Sequence, residues 1–271
     1  MIQPFLAFLI VLATGVPNAA AQALRSTGTA NVGQVELAYR TFGPERGEAV
    51  LFIGGIGGSA PTEPDQLTSS LVDRGFRVIH YDSHDGGAST QMDEAGVPDF
   101  AAIQQSLAQG DAPSLAYTLS NLAGDAVAIL DALGIERAHI AGGSMGGMVA
   151  QLVAAEYPNR TASLTLISST TGNPKLPVGK PPTEGEQMDP PALRQAAATL
   201  AAGDLRERSL AINAPTVVIH GEEDELFPPP HGIDLAKTIP AADLVTIAGM
   251  EHLPEEMHYP QILEAMELVL D

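Results

Sequence analysis

One junction constrains this chain more than any other. Gly142-Gly143-Ser144-Met145-Gly146-Gly147 lies between an apolar run, Ala138–Ala141, and a helix-like run, Met145–Tyr157. A chain that passes from strand to helix in so few residues must turn sharply. The turn forces its central residue into a strained backbone conformation and leaves no room for flanking side chains, which glycine satisfies at 142 and 146. A serine at such a corner has its hydroxyl lifted clear, over the helix N-terminus, where negative charge is favoured. The junction predicts a sheet whose strands feed directly into helices, and it marks Ser144 as a candidate nucleophile.

The rest of the chain repeats the same alternation, which predicts an α/β fold with a mostly parallel sheet and helices on both faces. Thr27–Val32 and Gln34–Thr41 read as a hairpin turning near Gly33. Ala49–Ile53, Arg77–Tyr81, Leu164–Ser168, Thr216–His220 and Leu244–Ile247 read as strands. Gln66–Arg74, Leu115–Leu133, His231–Ile239 and Pro260–Leu270 carry helical spacing. Asp82–Pro113 has only weak periodicity. From Thr170 to Asp189 Pro, Gly, Lys and Glu crowd in, and Pro191–Leu210 then reads as one or two short helices. The segment 170–213 is expected to be a short insertion into a domain covering 24–271, and no internal repeat is present.

A serine hydroxyl is a weak nucleophile near neutral pH and needs a base, which in turn needs an orienting acid. Downstream of Ser144, the run His220-Gly221-Glu222-Glu223-Asp224 follows an apolar strand, where sites form in parallel sheets. Of the four acids there, the spacing Gly221-x-x-Asp224-x-x-x-Pro228 selects Asp224. His252 follows the last expected strand, in a loop before the final helix. Its reference pKa of about 6.5 suits it to accept and return a proton. His258 is the second candidate base. His80, His139 and His220 lie in or beside strands and read as structural, and His84 falls in a loop near the candidate site.

Attack on an ester carbonyl creates an oxyanion that needs preorganised donors. The amide after the nucleophile, that of Met145, is one candidate. The glycine-rich loop Gly54-Gly55-Ile56-Gly57-Gly58-Ser59 offers the amide of Ile56 as the second. Gly55 and the side chains of Met148 and Met250 are candidate substrate contacts, with core packing as the other reading for the two methionines. A phosphate-binding P-loop is excluded because no Lys-Ser/Thr follows Gly58 at the required spacing. No His-Glu-x-x-His motif and no cysteine are present, so no zinc site, other metal or organic cofactor is expected.

Composition narrows the partners. The formal net charge of −20 repels nucleic-acid phosphates and anionic headgroups, so the expected partner is a small molecule and not a nucleic acid; the acidity reads as a solubility feature, with a cationic partner as the other reading. Phe5–Val16 is a short apolar run followed by small residues, and cleavage after Ala21 or Ala23 is expected. Residues 1–23 therefore read as a signal peptide. No Lys or Arg precedes the apolar run, so an uncleaved anchor is the other reading. Either way the domain is expected outside the cytoplasm, secreted or periplasmic. Without its leader the chain keeps about 250 residues, enough for one large α/β domain with no stable membrane insertion.

Several stretches together resemble the α/β-hydrolase superfamily, and more narrowly the esterases typified by anthracycline (aclacinomycin) methylesterases. They are the Gly54–Ser59 loop, Tyr81–Thr90, Leu130–Ile135, Ala138–Gln151, Pro215–Gly221 and Gly249–Pro254. The resemblance implies a serine esterase with Ser144, Asp224 and His252 as nucleophile, acid and base. Three departures stand out. The first loop begins Gly54-Gly55 where the family has His-Gly, and the segment Ser83-His84-Asp85-Gly86-Gly87 lacks a usual Arg. The segment between Ser169 and Ala211 is shorter than the family's helical cap, which implies an open site and small or varied esters. Acyl transfer to another alcohol, perhydrolysis, and a ligand-binding protein on the same fold stay open as alternatives.

Overall fold

The computed structural model describes residues 25–179 and 188–270. The expected signal peptide, residues 1–23, lies outside the described residues, as do positions 180–187 of the expected insertion. In chain order the elements are β1 (Arg25–Val32), β2 (Val35–Phe42), β3 (Ala49–Ile53), α1 (Gln66–Asp73), β4 (Arg77–Tyr81), α2 (Phe100–Gln109) and α3 (Leu119–Ala132). There follow β5 (Ala138–Gly143), α4 (Met145–Glu156), β6 (Thr161–Ile167), α5 (Pro190–Ala202) and α6 (Arg206–Ser209). The chain closes with β7 (Thr216–Gly221), α7 (Pro230–Thr238), β8 (Asp243–Ile247) and α8 (Tyr259–Glu267).

All eight strands form one sheet in the order β1-β2-β4-β3-β5-β6-β7-β8. β1 and β2 form the expected hairpin, closing at Val32 and Val35 around Gly33, whose φ of 62° belongs to a tight turn. β2 runs antiparallel to β4, and every pairing from β4 to β8 is parallel. This is the mostly parallel sheet that the strand–helix alternation predicts.

Period-two side chains explain the layers. Leu51, Ile79, Ile140, Leu164, Leu166 and Val218 point to one face, against α3, α4 and α7. Val50, Val78, Ala141, Val217 and Ile219 point to the other, against α1 and α8. Burial on both faces is what makes these strands read as continuous apolar runs. Among the described residues no helix is long and apolar enough to cross a membrane.

One helix is absent from the sequence reading, and α3 begins at Leu119, four residues after the expected Leu115. The weakly periodic stretch contains α2, opened by Asp99, whose side chain accepts from the Ala102 amide, and ended by Gly110 in the left-handed conformation. Only Ile103 of α2 is buried, so there is no apolar stripe for periodicity to detect. The caps were the available signal.

Candidate active site

The strand-to-helix junction behaves as its sterics require. Ser144 follows β5 directly, with φ 53° and ψ −123°, and α4 begins at the next residue. A Cβ at Gly142 would strike the carbonyl of Gly146, and one at Gly146 would strike the carbonyls of Ile53 and Gly54. Neither position can carry a side chain without moving backbone. The strained serine is held from both sides. Its N–H donates to Ile167 O at 3.0 Å, and its carbonyl accepts from Gly147 N–H at 3.0 Å and from Ser169 Oγ at 2.8 Å.

The structure brings together the three side chains singled out in sequence. His252 Nε2 lies 2.9 Å from Ser144 Oγ, and His252 Nδ1 lies 2.9 Å from Asp224 Oδ2. An ionised carboxylate can only accept, so Nδ1 carries the proton and donates to Asp224. Nε2 is then left with a lone pair, and Ser144 O–H donates to it. Asp224 is fixed independently, because its Oδ1 accepts from the amides of Leu226 at 3.0 Å and Phe227 at 2.8 Å. The Phe227 ring meets the imidazole edge to face at 5.4 Å. Asp224 is buried, whereas the competing Glu222, Glu223 and Glu225 are exposed. His258 is engaged elsewhere, accepting from the Glu255 amide through Nδ1.

The Met145 amide and the glycine-rich loop both lie beside the serine. The Met145 amide is the first of α4, where N–H groups have no intrahelical acceptor. The loop after β3 passes close by: a Cβ at Gly55 would lie 3.3 Å from Ser144 Cβ. The Ile56 amide is the next along this loop. Among the described residues neither the Met145 nor the Ile56 N–H is taken by a protein acceptor.

The two candidate methionine contacts resolve as core. Met148 packs in the cluster with α3, and Met250 in the cluster with α8, on opposite faces of the sheet. Both side chains are fully enclosed, so the expectation that they touch substrate is corrected in favour of packing. Their neighbours in sequence misled: Met148 lies four positions after Ser144 and Met250 two before His252, but both are buried in the core.

Sequence reasoning missed two polar side chains on the insertion. Arg194 and Gln195 of α5 are 4% and 1% exposed. Arg194 Nε and Nη2 donate to the two carboxylate oxygens of Asp85, each at 2.8 Å. Burial, the largest single influence, would raise the Asp85 pKa, but the Arg194 guanidinium, the Met92 amide and the Tyr117 hydroxyl together outweigh it and hold the carboxyl below the usual range. Gln195 Nε2 donates to His84 O at 3.0 Å, and its Oε1 accepts from Gly57 N–H at 2.8 Å. A third missed residue, Asp125 of α3, pairs with His84 Nδ1 in the interior. Its signal was a carboxylate inside the apolar stripe Leu119, Leu122, Ala126, Ile129.

Comparison with known proteins agrees with this architecture. A family model described as the alpha/beta hydrolase fold matches residues 48–206. The chain is 26% identical to rhodomycin D methylesterase DnrP of Streptomyces peucetius, over 78% of this chain and 87% of that protein. It is 36% identical to the candidate carbamate hydrolase RutD of Variovorax paradoxus (strain S110), over 49% of this chain. That match spans under half of the relative's length, 42%. A solved hydrolase from Pseudomonas aeruginosa PA01 superposes with a TM-score of 0.71 at 26% identity, covering 91% of this chain and 99% of that one. The family match covers more than half of the sequence, the sheet order is one continuous mostly parallel array, and the chain belongs to the α/β-hydrolase family of hydrolases.

Proposed function

We propose that this hydrolase cleaves a carboxylic ester, with Ser144 as nucleophile, His252 as base and Asp224 as the group that orients His252. The observation that carries the reading is the unbroken line from Asp224 Oδ2 through His252 to Ser144 Oγ, with both links at 2.9 Å. Ser144 Oγ attacks the carbonyl carbon while its proton passes to His252 Nε2. The negative oxygen then lies between the Met145 and Ile56 amides, which act as preorganised donors. Collapse of this adduct breaks the bond to the alkoxide, which leaves with the proton from His252. Water attacks the acyl-enzyme with His252 again accepting a proton, the acid departs and Ser144 regains its hydrogen. Asp224 stays ionised throughout and stabilises the imidazolium.

Gly55 contributes by what it lacks, since a side chain there would crowd the serine. The likeness to a methylesterase over most of both chains supports an ester rather than another acyl compound. The segment 170–213 serves as a reduced cap, and residues 1–23 as an export signal that places the enzyme outside the cytoplasm.

Mature protein is to be assayed against nitrophenyl esters of rising acyl length and labelled with a fluorophosphonate. The reading expects turnover of short esters and one label per chain on Ser144. Equal labelling of wild type and Ser144→Ala rejects it.

A further inference from the structure

The loop that offers the Ile56 amide contains four glycines in five residues, Gly54-Gly55-Ile56-Gly57-Gly58. Such a segment has the most conformational freedom a chain can have, yet an oxyanion donor works only when it is already in place. Its own hydrogen bonding is a single turn, Gly58 N–H to Gly55 O at 3.0 Å. Gly57 has φ +70°, and Ile56 is not among the residues of positive φ. That combination is a type II turn, with glycine at the third position. A type II turn differs from type I by a flip of its central peptide, here the one joining Ile56 to Gly57.

The N–H of that central peptide is the group that donates to Gln195 Oε1 at 2.8 Å. The orientation of the Gln195 amide follows from chemistry, because Gly57 N–H can only donate and His84 O can only accept. We propose that Gln195 is the positioning residue of the oxyanion site: from α5 it holds the glycine turn so that the adjoining Ile56 amide faces Ser144. The same side chain ties the turn to the loop after β4 through His84 O. Arg194, the preceding residue, anchors α5 to that loop through Asp85, so the support itself is fixed. The insertion is thereby part of the device that stabilises the oxyanion, and not only a cover. The role rests on the ester-hydrolase reading above.

The test compares wild type with Gln195→Leu, which removes both hydrogen bonds at similar volume, and Gln195→Glu, which keeps an oxygen toward Gly57. Four quantities are measured: kcat and KM on a nitrophenyl ester, affinity for an alkyl boronic acid that forms a tetrahedral adduct on the serine, affinity for a carboxylic-acid product, and Tm. Gln195→Leu is expected to lower kcat about ten- to a hundredfold, less than outright loss of a donor. KM and product affinity should stay within about twofold, and boronate affinity should fall in step with kcat. Gln195→Glu should keep kcat within about fivefold of wild type, because the bond to Gly57 survives. An unchanged kcat in Gln195→Leu overturns the proposal. So does a loss that tracks only the unfolded fraction, with boronate affinity intact. If the leucine variant does not fold, the glutamate variant decides, and a natively stable but inactive Gln195→Glu is the contrary result. Absence of Ser144-dependent turnover in wild type would instead reject the ester-hydrolase reading, which is visible before any Gln195 variant is measured.

Discussion

Among the described residues two histidines face a carboxylate through Nδ1, and their other partners differ. His252 meets Asp224 in a loop at the end of the sheet, and its Nε2 meets the Ser144 hydroxyl. His84 meets Asp125 inside the domain, and its ring stacks on Tyr117 with centroids 5.4 Å apart. Asp224 also accepts two backbone amides, which fix its carboxylate in place. Asp125 projects from the middle of α3, where burial raises its pKa and the His84 hydrogen bond only partly offsets the rise. A histidine–carboxylate pair is thus not in itself a catalytic device. What the distal nitrogen faces, and how the carboxylate is solvated, decide whether the pair moves protons or fastens helix to loop.

The comparison can be broken most directly by removing each histidine. His252→Ala should lower kcat/KM on an active ester about 10⁴-fold while leaving Tm nearly unchanged. His84→Ala should do the reverse. It strands a buried carboxylate and should cost about 3 kcal/mol in urea unfolding, while folded protein still labels at Ser144. If His84→Ala abolishes labelling in fully folded protein, or His252→Ala leaves kcat/KM intact, the division of labour drawn here is wrong.

A third histidine sharpens the contrast because, among the described residues, no carboxylate hydrogen-bonds to it. His80 stacks on Phe52 at 4.9 Å, and its Nε2 pairs with Thr68 Oγ1 at 3.0 Å. Burial pulls its pKa down to about 4, opposed by the charge of Asp65 and aided by Arg40. The unfolded chain therefore binds a proton below about pH 6.5 that the folded chain refuses until near pH 4. Stability from this group is full above the unfolded value and falls with pH through that window. Between pH 7 and 5 the loss should be at most about 2 kcal/mol. Burial shifts His139 and His220 the same way. Urea unfolding at the two pH values should show a smaller difference in His80→Gln, and an identical difference would remove His80 from the account.

Legibility in the sequence followed the strength of local physics. β3, β4 and the Ser144 junction lie where the pattern put them, because a strand buried on both faces and a turn that only glycine permits leave few alternatives. β6 begins at Thr161, three residues before the expected Leu164, because its first residues are Thr, Ala and Ser. The meeting of Ser144, His252 and Asp224 was legible from the fold resemblance and chain order. Arg194 and Gln195 were not. They sit in a segment that reads only as one or two short helices, and their partners lie about a hundred positions away or more.

The bidentate grip of Arg194 on Asp85 has a kinetic consequence. A flap that swings on each catalytic cycle must come away cheaply, and here departure of α5 would abandon a buried carboxylate and release the glycine turn at one stroke. This stretch of the insertion is therefore masonry and not a door. On the ester-hydrolase reading, selection among substrates at this side of the site then falls to the shape that α5 already holds at rest.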